Sequence, residues 1–302
     1  MLAKDAELRD EIAAYRNELM FSAIRKIDDP EWTICNAALQ LFGAPRPKIV
    51  GQKQATELEI LNEGEKDCLR WETAVVSFAE IANFMPETLE YIITYCQKHA
   101  SQSQFTRSII LFLGFLSKLE HLAQNNESLP EDCLLYRLRE LMWLLLQHRE
   151  EKVRKLAALV FVRAHEFHYE LPQILLTLAS MLFSLSDENF FQGIAFVIQF
   201  GVLKLRHEAL HTIESSNLTA FLQALRAMLS ENYIFRSEFK MYTQWKLVEI
   251  LLSIGFESES TLVAALVKSL RFHANQANAS AYCYGFFEQL DTGFNVGNIT
   301  LE

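Results

Sequence analysis

Residues 138–146 read Leu138-Arg139-Glu140-Leu141-Met142-Trp143-Leu144-Leu145-Leu146, and after a short polar break residues 150–159 read Glu150-Glu151-Lys152-Val153-Arg154-Lys155-Leu156-Ala157-Ala158-Leu159. Each stretch has apolar residues at helical spacing, and the break between them is too short for anything but a tight reversal, so the pair predicts two antiparallel helices. At about 100° per residue from Lys152, residues His148, Arg149, Lys155, Arg163 and Glu166 fall within about 60° of it. Val153, Ala157, Ala158, Val160, Phe161 and Ala164 cover the other side, with Arg154 among them. Arg154 is therefore expected on the apolar side in a structural role, with a carboxylate or carbonyl partner to offset burial of its charge. Small Ala157 and Ala158 let the paired helix approach closely.

The same periodicity extends along the chain. The 302 residues are 50% hydrophobic and 22% charged, with only 10 Gly and 6 Pro, which disfavours a turn-rich β fold or a Gly/Pro-rich disordered chain. No sustained alternation of period two occurs, so the fold class expected is all-α. Pro86, Pro130 and Pro172 each open an apolar-periodic segment, where the missing N–H costs nothing. Their spacings of 44 and 42 residues lead on to residues of N-cap type at Ser215-Ser216-Asn217 and Ser258-Glu259-Ser260. Helix pairs are predicted at 86–99 with 104–125, 130–147 with 150–170, 172–185 with 188–205, 217–229 with 237–254, and 258–273 with 275–290.

A period of this length lies in the range of helical-hairpin repeats. The stretch that includes Leu138 to Leu159, an apolar helix followed by acid, Val-Arg and Ala, resembles the HEAT repeat over about 30 residues. The resemblance is to the HEAT/armadillo-like superfamily, and it implies an α-solenoid of HEAT-like antiparallel hairpins that serves as a scaffold. Residues 1–52 are expected to hold N-terminal helices and a linker, with a capping helix at about 3–27 whose stripe is Leu8, Ile12, Tyr15 and Leu19. Residues 53–291 would form the repeat array and 292–302 a flexible tail.

Charge narrows the partners. The net charge is −10, and residues 57–90 hold nine acids against Lys66 and Arg70, which argues against broad phosphate-backbone binding. A basic face at His148, Arg149, Lys152, Lys155 and Arg163 would meet a partner protein or, as a second reading, a nucleic-acid phosphate track. An ordinary solvated face balanced by Glu150, Glu151 and Glu166 is the plainer alternative. Tyr233, Phe235, Tyr242 and Trp245 mix with Arg236, Lys240 and Lys246 and are candidate anchors for a peptide, since interface hot spots favour aromatic residues and arginine. Phe183, Phe190, Phe191, Phe196 and Phe200 follow the apolar period and are expected in the core.

Enzymatic signals are few. His207-Glu208-Ala209-Leu210-His211 is a literal HExxH, in which two histidines four apart on a helix would grip zinc while the glutamate activates a bound water. Arg206 precedes it and no substrate-aligning strand is evident, so a zinc hydrolase is the third reading. His165 and His168 are expected at a partly exposed polar edge. No Gly-rich phosphate loop or G-x-S-x-G elbow is present, and no cofactor, metal or catalytic residue is assigned. The charged N-terminus and the odd, scattered Cys35, Cys68, Cys96, Cys133 and Cys283 predict an intracellular protein, cytoplasmic or nuclear, without disulfides or membrane spans.

Overall fold

The computed structural model describes residues 15–44, 76–120, 133–166, 170–181 and 185–209. These residues are mostly helical. In chain order they form α1 (Arg16–Ile24), α2 (Trp32–Gly43), β1 (Val76–Ser77), α3 (Phe78–Phe84), α4 (Pro86–His99), a 3-10 turn (Ser103–Phe105), α5 (Thr106–Leu116), β2 (Leu119–Glu120), α6 (Leu134–Leu145), α7 (Glu151–Arg163), α8 (Glu170–Met181) and α9 (Glu188–Ala209). Among the described residues, no helix is long and apolar enough to cross a membrane.

Local chemistry accounts for where three of the helices begin. Pro86 occupies the first turn of α4, followed by Glu87, while Lys98 and His99 sit in its last turn, so both ends complement the helix dipole. Cys133 precedes α6, and its Sγ accepts the Tyr136 N–H at 3.3 Å. Asp187 does the same for α9, with Oδ1 accepting the Phe190 N–H at 2.6 Å.

The chain divides into two compact units, Met1–Leu171 and Pro172–Glu302. In the first, α1 packs on α2, and α6 packs on α7. Between those pairs, Tyr95 of α4 meets Phe112 of α5 edge to face, ring centroids 5.2 Å apart. Across the pairs, α1 contacts α4 and α4 contacts α6, while α5 contacts α7. Phe42 of α2 meets Phe112 and Phe115 of α5 at 6.3 and 6.2 Å. First members thus meet first members and second members meet second members, and the core between them holds Met20, Leu89, Ile92, Ile93, Phe112, Leu138, Met142, Val153 and Ala157, all buried.

Polar ties join the first pair to the second. Thr88 Oγ1 donates to Asn17 Oδ1 at 3.0 Å, and Asp28 accepts from both the Tyr95 hydroxyl and Ser108 Oγ. Burial, reinforced by that hydrogen bond to Asp28, raises the Tyr95 phenol well above its ordinary pKa, so it stays a donor. Arg137 of α6 reaches back to α4, its Nη1 2.6 Å from both carboxylate oxygens of Glu90.

Several described helices have other bounds than the sequence reading gave, and the one expected over 150–170 ends at Arg163, with Glu170 opening α8 ahead of Pro172. The helix expected over 104–125 stops at Leu116, where Ser117 Oγ donates to the Gly114 carbonyl and the chain turns into β2. β2 pairs in parallel with β1, Val76 opposite Leu119 and Ser77 opposite Glu120. Two residues per strand are too few for an alternating pattern to register. The helix expected over 3–27 is described from Arg16 to Ile24, and Leu8 and Ile12 lie outside the described residues.

In the second unit, α9 approaches α8 closely at Gly201, where an added methyl would stand 2.6 Å from Leu175 Cδ2. Leu175, Leu178, Phe191, Ile194, Val197, Ile198 and Phe200 are buried there, with Phe190 and Phe196 half-buried. Phe183 lies outside the described residues.

Candidate protein-binding groove

Helix α6 is apolar on two sides. Leu135, Leu138, Leu141, Met142 and Leu145 face the core and are buried. A second stripe, Tyr136, Arg139, Glu140, Trp143, Leu144 and Gln147, recurs at the three- and four-residue steps of one helix face. With Phe161 of α7 and His165 just past its end it lines an open groove of about 510 Å³. Tyr136 is 39% and Leu144 48% exposed. Trp143 tilts against Phe161 at 6.1 Å between centroids, and Phe161 against His165 at 4.4 Å, forming an aromatic floor.

Arg139 holds one edge of the groove. Its Nε donates to the Ala164 carbonyl at 2.9 Å, and Nη2 and Nη1 reach the two Glu170 carboxylate oxygens at 2.6 and 3.3 Å. Burial alone would raise the Glu170 carboxyl, but the Glu166 N–H and the Arg139 guanidinium outweigh it and hold the group below its ordinary pKa. His165 is buried, with Nδ1 2.7 Å from the Phe161 carbonyl, so the exposed polar edge expected for it is not present. His168 lies outside the described residues.

The basic face read from the sequence divides. Arg149 and Lys152 are exposed and Lys155 is half-buried, but His148 is 7% and Arg163 3% exposed. His148 precedes α7, so the helical angle assigned to it does not hold. Its ring turns inward and Nδ1 accepts the Glu150 N–H at 3.0 Å. Burial lowers the His148 pKa, with neighbouring Glu150 opposing. Arg163 reaches across to the end of α5, where Nη1 donates to the Ser117 carbonyl, and burial lowers its pKa as well. Arg154 is buried and gives Nη1 to the His148 and Arg149 carbonyls at 2.6 and 2.8 Å. Ala157 and Ala158 are fully buried where α7 packs.

The remaining candidates do not join this site. His207 and Glu208 belong to the last turn of α9, whereas His211, Tyr233, Phe235, Tyr242 and Trp245 lie outside the described residues. Among the described residues, no three His, Cys, Asp or Glu side chains stand together as a metal site. The groove itself was passed over in the sequence, although Tyr136, Trp143 and Leu144 form a second apolar stripe beside the core-facing one. No protein family, curated protein or solved structure matches this chain.

Proposed function

We propose that this chain is a non-enzymatic scaffold, an α-solenoid of HEAT-like helix pairs that binds a partner protein through the outer groove of α6 and α7. The observation that carries this reading is the pair of exposed apolar side chains, Tyr136 and Leu144, set beside the Trp143–Phe161 floor. An apolar patch with a polar rim is the usual anatomy of a protein interface, and aromatic side chains supply much of the binding energy at such sites. The member-to-member contacts of the helix pairs in the first unit support the repeat architecture. A nucleic-acid partner has less behind it, because the basic face shrinks to Arg149, Lys152 and Lys155, with Glu150 and Glu151 beside them.

The test is photo-crosslinking in cells from a reactive side chain placed at position 144, with exposed Gln97 as the control position. A discrete protein adduct from 144, absent from 97 and lost when Trp143→Ala is added, is the expected result. Identical adducts from both positions, or an adduct to nucleic acid alone, would contradict the proposal.

A further inference from the structure

We infer that the groove takes an amphipathic helix that carries lysine or arginine beside its apolar stripe. This rests on the reading of the groove as a binding surface and names the chemistry of its occupant. Shape is the first argument. The stripe at Tyr136, Arg139, Glu140, Trp143, Leu144 and Gln147 runs along a single helix face, beside the aromatic floor of Phe161 and His165. An open groove bordered by one face of a helix and the end of the next is matched by a third helix whose own residues recur at three and four.

Charge complementarity is the second. Of the groove's ionic residues, Arg139 is already matched by Glu170 through two hydrogen bonds. His165 is buried against the Phe161 carbonyl. Glu140 is exposed, and among the described residues its carboxylate makes no hydrogen bond or ion pair. The charge left over in the groove is therefore negative, and the chain as a whole carries −10. Both draw a cationic partner and repel an acidic one, and this sets orientation and partner choice more than raw affinity.

The experiment uses the full chain and two short fluorescein-labelled amphipathic helices, one of leucine and lysine, the other of leucine and glutamate, read by fluorescence anisotropy. Wild type should bind the lysine peptide. Leu144→Asp should weaken that binding about tenfold or more, and Glu140→Lys should reverse the preference toward the glutamate peptide. Both substituted positions are exposed, and circular dichroism checks that each variant keeps its helix content. Lysine-peptide binding that survives Leu144→Asp unchanged would overturn the inference, since a diffuse attraction to an acidic protein would then explain it. Preference of wild type for the glutamate peptide would overturn the charge assignment while leaving a crosslink from position 144 intact. Crosslinks from 144 only to other residues of the same chain would overturn it as well, by making the occupant internal.

Discussion

Three arginines satisfy main-chain carbonyls in the first unit. Arg163 donates to Ser117 after α5, Arg154 to His148 and Arg149 after α6, and Arg139 to Ala164 after α7. Ser117 and Ala164 are the C-caps of α5 and α7, where a guanidinium meets both an unpartnered carbonyl and the negative end of the dipole, whereas His148 and Arg149 offer loop carbonyls between α6 and α7. Replacing Arg154 with Met keeps most of the volume and leaves two carbonyls short of a donor. The cost should be about 2–4 kcal/mol in denaturant unfolding, and a loss within a few tenths of zero would contradict this role. His148 gives a pH-dependent counterpart. Its folded pKa lies below that of an unfolded histidine, about 6.5, so the folded state binds fewer protons. Its contribution is present above about pH 6.5 and is lost as pH falls toward the folded pKa. Unfolding free energy measured across that range should fall on acidification, and His148→Gln should flatten the slope.

At the scale of the element, close approach between helices sets the tolerances. Gly201 faces Leu175, which is fully buried and has little room to swing aside. Gly201→Val should therefore cost about 1–3 kcal/mol by overpacking, despite the better helix propensity of valine. Adding Leu175→Ala should make the pair less damaging than the two single changes together. Strict additivity would mean that the two helices do not meet there. Much of the element order could be read beforehand, because Pro86, the acid-Val153-Arg154 run and the apolar period are local signals that tertiary packing did not override. What escaped was long-range. Leu116 ends α5 because a turn and a two-residue parallel pairing follow, and the partner strand lies more than forty residues earlier in the chain. Arg163 looked like a surface residue on the helical wheel, but its long side chain finds a carbonyl on a neighbouring helix. The groove was hidden for a related reason: a helix with two apolar stripes looks merely apolar until its neighbours are known to occupy only one of them.

For the whole molecule, the division at Leu171 has an energetic consequence. Arg154→Met and Gly201→Val fall in different compact units with different partners. Their effects on unfolding should add within about 0.5 kcal/mol. The central claim concerns the groove, and the most direct test is hydrogen exchange of the full chain, free and saturated with the protein captured from position 144. Binding should slow exchange in Leu134–Gln147, in the C-terminal half of α7 and on to His165 just beyond it. Slowed exchange confined to Arg149–Lys155 or to residues beyond 209, with the amides of α6 unchanged, would contradict the account.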